Sequence, residues 1–315
     1  MKEVPMRDGY GKALLELCKT KPDVIVVDAD VAKSTRTDWV RRDFPDKYLN
    51  VGISEQDLVG TAAGLSLAGM VPYISTYGIF LTGRAWEQIR NTVCYNQLNV
   101  KLGGAHAGIS VGPDGATHQA LEDVALMQVI PEMMVIVPCD WRETYKATMA
   151  VYDVMGPSYV RFGRNPAPVV TTADTPFTIG KAEIFREGMD VTIFANGMMV
   201  YESLQAAERL AANGISAQVV NVHTVKPLDV ATIVSCAKKT GAVVVCEEHQ
   251  QIGGLGSAIC LALCQQYPVP VELVGIADVF GESGEPKELL QSRGLSAGHI
   301  IETVQRVVQR KKQAL

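Results

Sequence analysis

No uncharged, proline-free apolar run in this 315-residue chain reaches the ~18 residues needed to span a bilayer. The first residues, Met1-Lys2-Glu3-Val4-Pro5, hold no apolar signal core. There is no Cys-x-x-Cys pair, and the seven cysteines form an odd, scattered set. A disulfide framework is therefore not expected, and a reducing compartment fits best. The closest pair, Cys260 and Cys264, lies in an apolar stretch and is expected as buried free thiols. These absences predict a cytoplasmic protein with no membrane partner. An excess of charge is also lacking: 29 Lys+Arg against 34 Asp+Glu leave a net charge of −5, which gives no broad positive field for nucleic acid. The basic end, Arg306, Arg310, Lys311 and Lys312, is expected as the solvated face of a last helix. Neither a tandem repeat nor a low-complexity segment interrupts the chain. At 47% hydrophobic and 20% charged residues, the length suffices for a substantial core and two domains.

Val- and Ile-rich runs alternate with helical patterns. Strands are expected at Val24–Val27, Val71–Ser75, Val100–Gly103, Met133–Val137 and Tyr159–Phe162, and helices at Asp57–Ala68, Leu81–Tyr95, His118–Met127 and Trp141–Val154. Continuous apolar strands alternating with helices predict a largely parallel sheet covered on both faces. Asn165–Thr178, with Pro166, Pro168 and Pro176, reads as a linker. A second alternating region has strands at Val191–Ala195, Ala217–Val222 and Ala242–Cys246, and helices at Val200–Asn213, Val230–Lys239, Ser257–Tyr267, Pro286–Gln291 and His299–Lys312. The fold class predicted is α/β, with two three-layer α/β/α domains at 1–165 and 183–315 joined through 166–182.

The densest cluster of glycine and polar residues runs from Gly103 to Gln119 and contains His106, Asp114 and His118. It follows a predicted strand, so it falls where open α/β sheets place ligands. Histidine and aspartate there can donate, accept and shuttle protons near neutral pH; the plainer reading is a turn-rich surface loop. Glu55, in Asn50-Val51-Gly52-Ile53-Ser54-Glu55-Gln56-Asp57, is either a capping carboxylate at a helix start or an acid that shares a proton with a ligand nitrogen. Tyr77, Phe80 and Trp86 are either core or faces for a flat ring. Arg161 and Arg164 either clamp a phosphate or form surface ion pairs. Gly253-Gly254-Leu255-Gly256 lacks the full dinucleotide fingerprint and is expected as an ordinary turn and helix start.

With these stretches in view, the chain resembles the thiamine-diphosphate-dependent transketolase family, specifically the C-terminal half that forms a separate subunit in split transketolases. The resemblance is carried by Arg7-Asp8-Gly9-Tyr10-Gly11-Lys12-Ala13-Leu14, Asp28-Ala29-Asp30-Val31 with Ser34, Val51-Gly52-Ile53-Ser54-Glu55-Gln56, Thr82-Gly83-Arg84-Ala85-Trp86-Glu87-Gln88-Ile89-Arg90, His106-Ala107-Gly108-Ile109 and Asp114-Gly115-Ala116-Thr117-His118-Gln119. It continues in the same order through Glu247-Glu248-His249 and Gly253-Gly254-Leu255-Gly256.

The resemblance implies a pyrimidine-binding domain followed by a transketolase C-terminal domain. It implies that Glu55 hydrogen-bonds N1′ of the aminopyrimidine and that Phe80 stacks on that ring, with Asp30 and Trp86 also on the cofactor side. His106 and His118 would surround the donor carbonyl, and Asp114 would read a sugar hydroxyl. Arg7, Ser34 and Arg164 would hold the acceptor's phosphate, with Arg161 as the alternate. The activity implied is transfer of a two-carbon ketol unit from a ketose phosphate to an aldose phosphate through a dihydroxyethyl-thiamine diphosphate intermediate. Two departures stand out: Pro113 replaces a commonly acidic residue, and no Gly-Asp-Gly segment for diphosphate and Mg²⁺ (or Ca²⁺) is present. A separate N-terminal subunit is therefore expected to hold the metal, most simply in an α2β2 heterotetramer. The alternatives are a 2-oxo-acid-dehydrogenase or deoxyxylulose-phosphate-synthase type of subunit, a split transketolase for an unusual sugar, and a non-catalytic scaffold.

Overall fold

A computed structural model describes residues 2–314. A seven-stranded sheet orders its strands, edge to edge, as Thr224–Lys226, Met134–Ile136, Ser158–Arg161, Lys101–Ala105, Val71–Tyr77, Val24–Asp28 and Tyr48–Asn50. All neighbours pair in parallel except Thr224–Lys226, which runs antiparallel to Met134–Ile136. The second sheet has five strands in the order Val271–Ile276, Val243–Gln250, Val191–Ala195, Ala217–Asn221 and Glu183–Arg186, with only the last antiparallel to its neighbour. Central strands such as Val-Ile-Val-Val-Asp and Val-Thr-Ile-Phe-Ala are buried almost throughout, as apolar residues at consecutive positions require of a sheet covered on both faces. Among the described residues no helix is long and apolar enough to cross a membrane.

The two halves share one apolar core, in which Val27, Leu58 and Tyr159 join the same cluster as Phe194, Val243 and Leu255. The segment expected as a linker is tied down at its start. Pro166–Pro168 pairs antiparallel with Glu3–Pro5, and the amides of Val170 and Thr171 donate to the Asp140 carboxylate at 2.9 and 2.7 Å. Thr224–Lys226, from the second half, completes the edge of the first sheet.

Two helices differ from expectation. The one expected at His118–Met127 begins only at Asp123. Upstream, the Gln119 amide donates to Ile109 O, Gly112 O and Glu282 O, and Arg161 takes Ala120 O, so residues 118–122 are held as a loop. The pattern at Leu81–Tyr95 splits into an α-helix, Gly78–Arg84, and a π-helical turn, Gln88–Cys94. Cys264 is exposed and Cys260 half-buried, because four-residue spacing puts both toward the outer face of the Leu255–Gln266 helix.

Candidate active site

Several candidate site residues stand at the carboxyl ends of the parallel strands, where open α/β sheets place ligands. Tyr77 ends the strand Val71–Tyr77, and His106 directly follows Lys101–Ala105. After Val24–Asp28, the Asp28 carboxylate accepts from Val31 N, Thr35 Oγ1 and Thr37 Oγ1 at 2.7, 3.1 and 2.7 Å. That tight turn fixes Ser34. Its backbone carbonyl accepts from Arg7 Nη1 at 3.1 Å, and its hydroxyl accepts from the Tyr77 OH at 3.1 Å.

His106 has φ +55°, an uncommon conformation for a side chain of this size. Its ring stacks on Tyr77 with centroids 4.3 Å apart, and its buried Nδ1 has no hydrogen-bond partner. Two glycines make this geometry possible. A Cβ at Gly104 would lie 2.2 Å from the Tyr159 hydroxyl, and one at Gly108 (φ +90°) 2.3 Å from the Glu248 carboxyl carbon. Glu248, from the second half, accepts from Ser110 N at 2.6 Å and so clamps the loop from the far side.

Glu55 is the first residue of the helix Glu55–Leu67 and is 4% exposed. The capping reading does not hold: no side chain caps this helix. Instead, Glu55 Oε2 accepts from Arg84 Nη1 at 3.0 Å. The Arg84 guanidinium lies 4.0 Å from the centre of the Phe80 ring. His118 meets that ring edge-on at 5.1 Å and Tyr77 at 5.9 Å. Contacts thus run unbroken from Glu55 through Arg84, Phe80, His118 and Tyr77 to His106, Ser34 and Arg7.

Arg164 Nη1 donates to Asp114 Oδ1 at 2.9 Å and to Val111 O at 3.3 Å, and Arg36 is held by Asp8 at 2.7 Å. Arg7 lies near both guanidinium groups, yet among the described residues it has no ion pair of its own, and its Nε is buried without a partner. Burial and the charge of Arg36 lower its pKa from the ordinary value. A half-buried arginine without an anion is a ready receptor for one. Burial, followed by the charges of Arg7 and Arg164, pushes the His106 imidazole down to about 3, so it is neutral at physiological pH. Its ring-proton NMR shift is expected to stay flat from pH 5 to 9, and a titration within that window would contradict this environment.

Three expected site residues lie elsewhere. Arg161 is buried, with Nε on Asp123 at 2.8 Å and Nη2 on Ala120 O and Glu248 O. It joins the two halves with its Nε and Nη2 engaged, whereas the Arg164 side chain is about one-third exposed beside Asp114. The Trp86 indole donates to Leu126 O at 2.9 Å and packs on the apolar core, away from the aromatic cluster. Asp30 is exposed and accepts from Asn50 Nδ2 at 3.1 Å. Pro113 is exposed within the turn Ile109–Asp114. The Gly254 turn serves the fold, since Glu247 accepts from Leu255 N and Gly256 N at 2.8 Å each, as expected of a helix start. Among the described residues, no three His, Cys, Asp or Glu side chains are grouped to hold a metal ion.

Fold and site together define a two-unit α/β chain whose candidate site residues gather at the carboxyl ends of a parallel sheet. The chain belongs to the transketolase family. The transketolase pyrimidine-binding domain matches residues 2–169, and the transketolase C-terminal domain matches residues 180–300. A putative transketolase C-terminal section from Methanocaldococcus jannaschii is 42% identical over 302 residues, 95% of each protein. A 6-deoxy-6-sulfo-D-fructose transketolase subunit from a Clostridium species is 40% identical, covering 97% of this chain and 95% of that protein. A solved split gene transketolase, an inactive beta4 tetramer, superposes with a TM-score of 0.92 at 46% identity, over 98% of this chain and 99% of its own.

Proposed function

We propose that this chain is the C-terminal-type subunit of a two-component transketolase, which with a separate N-terminal subunit moves a two-carbon ketol unit from a ketose phosphate to an aldose phosphate. The observation that carries this reading is the unbroken run of contacts from the buried Glu55 carboxylate to the Arg7 guanidinium, which among the described residues has no ion pair. An acid and a flat aromatic ring stand at one end, and an anion receptor at the other.

The donor set fits a thiamine diphosphate pyrimidine. Glu55 is a buried acid with one movable neighbour, Phe80 offers a ring face, and His106 Nδ1 is a buried polar atom still without a partner. When bound, the thiazolium supplies the carbanion chemistry. Glu55 would share a proton with the pyrimidine nitrogen while Phe80 stacks on the ring. His106, neutral, and His118 would hydrogen-bond the donor's oxygen. Asp114 would accept from a sugar hydroxyl, and Arg7, Ser34 and Arg164 would hold the phosphate.

Diphosphate and Mg²⁺ fall to the N-terminal subunit, since this chain has no Gly-Asp-Gly. A second chain beside Glu55 is supported by the outer face of its helix. There Gln56, Gly60, Gly64 and Leu67 are exposed, and Ile53 just upstream is 76% exposed. Two copies of each subunit in the cytoplasm is the assembly we favour, with 1–165 and 183–315 as the two domains of this chain.

The test is to mix the chain with its N-terminal partner, thiamine diphosphate and Mg²⁺ and to follow a ketose phosphate donor. Aldose phosphate release that depends on an aldose phosphate acceptor and on both subunits is expected. Decarboxylation of pyruvate without ketol transfer would assign the 2-oxo-acid type of activity instead, and full activity of the partner alone would leave this chain a scaffold.

A further inference from the structure

Arg84 is the charged residue in the contact run that the expected ligand set leaves without a role. It ends the helix Gly78–Arg84, and its side chain touches both elements of the pyrimidine subsite. Nη1 donates to Glu55 Oε2 at 3.0 Å, and the guanidinium carbon lies 4.0 Å from the centre of the Phe80 ring. A guanidinium is flat, carries N–H donors in its plane and stacks on aromatic faces. An aminopyrimidine bound to the same pair would need a flat ring on Phe80 and a nitrogen at the Glu55 carboxylate. The two groups make the same two contacts. At 4.0 Å the guanidinium is already at stacking distance, so no second planar group fits between it and the ring.

We propose that Arg84 is a built-in occupant of the pyrimidine subsite, which holds the subsite closed in the empty protein and must swing out for the cofactor to bind. The inference rests on the reading of Glu55 and Phe80 as that subsite.

The local structure divides fixed from movable parts in the way such a gate requires. Glu55 is buried at the start of its helix and cannot follow the guanidinium outward, whereas the Arg84 side chain is 52% exposed. The Arg84 backbone stays anchored, because its carbonyl accepts from Gln56 Nε2 at 3.2 Å. Next to it, Gly83 is exposed, and a Cβ there would meet nothing within 4 Å, so the neighbourhood is open for a side-chain swing. The helix also stops at Arg84, and the chain resumes four residues on in the π-helical turn Gln88–Cys94, an irregularity common beside functional sites. A half-exposed ion pair and a single cation–π contact are each weak, so displacement is feasible at a modest loss of affinity.

The experiment titrates thiamine diphosphate, at saturating Mg²⁺, into the complex of this chain with its N-terminal partner, followed by calorimetry or tryptophan fluorescence. Arg84→Ala removes the competitor and is expected to bind the cofactor about five- to tenfold more tightly than wild type. Arg84→Lys keeps the charge near Glu55 but lacks the flat stacking face, so its affinity is expected to fall between the two. Equal or weaker binding by Arg84→Ala, with affinity still reduced by Glu55→Gln, overturns the gate while leaving the subsite in place. If Glu55→Gln does not weaken binding at all, the subsite itself is misplaced, and the gate falls with it.

Discussion

Replacing Glu55 by glutamine is expected to slow ketol transfer by the reconstituted enzyme about 10²- to 10⁴-fold, the range over which a positioned acid–base group contributes. Glutamine has nearly the same shape, so the packing of Leu58 and Val59 beneath the first turn of the Glu55–Leu67 helix is retained. What is lost is the ability to carry a proton: an amide can donate from nitrogen or accept at oxygen, but it cannot pass a proton to a ring nitrogen and take it back. Because Glu55 is buried and fixed at a helix start, water and neighbouring side chains have little access from which to replace it. Arg84 cannot act as the acid, since a guanidinium stays protonated. Subunit association, measured by size-exclusion chromatography, is expected to match wild type, and steady-state assays at saturating cofactor should show the loss in kcat. A variant within a few-fold of wild type would move the proton transfer to another group.

The way the sequence encodes this site explains what could be read from it. Strands buried on both faces, such as Val24–Asp28 and Val191–Ala195, announce themselves as apolar runs and are found nearly to the residue. The helix Met6–Thr20 is not legible. Gly9 and Gly11 disfavour a helix intrinsically and are there for close packing. A Cβ on Gly9 would sit 1.9 Å from the Trp141 carbonyl oxygen, and one on Gly11 2.5 Å from Arg36 Cβ. Tertiary contact overrides propensity at this point, and the helix that carries Arg7 depends on it. Three-residue strands such as Tyr48–Asn50 and Thr224–Lys226 are too short to leave a periodic signal.

In the site, the residue types of Glu55, His106, Asp114 and His118 mark chemistry, and the fold brings them to one edge. The sequence does not say which way a side chain points. For that reason Trp86 looks like a stacking face yet packs on the core, and Arg161 and Arg164 cannot be told apart until the end of the Ser158–Arg161 strand is seen. Arg84 passes for an ordinary surface charge because its role depends on two partners, 29 and 4 residues away.

Arg161 and Arg164, three residues apart, are expected to fail in opposite ways when each is changed to methionine. Arg161→Met is expected to cost about 3–5 kcal/mol of folding stability, as breaking one side of a buried ion pair does. Asp123 is fully buried, and its Oδ2 accepts from Arg161 Nε at 2.8 Å and from the Tyr159 hydroxyl at 2.6 Å, while Oδ1 has no partner. Without the guanidinium a buried charge is left with one neutral donor. Ala120 O and Glu248 O, one from each half, also lose their shared donor at 3.0 and 2.9 Å. The denaturation midpoint should drop accordingly, and the double variant Arg161→Met/Asp123→Leu should recover part of the loss by removing the stranded charge. Arg164→Met breaks a pair that is about one-third exposed on both sides, so its stability should stay within about 1 kcal/mol of wild type. Its effect is expected on substrate binding instead: loss of a charge-assisted hydrogen bond to phosphate, at about 1.5–3 kcal/mol, should raise the KM for the aldose phosphate roughly 10- to 100-fold with a smaller change in kcat. The reverse outcome, a raised KM at unchanged stability for Arg161→Met, would make Arg161 the anion ligand and Arg164 the structural residue.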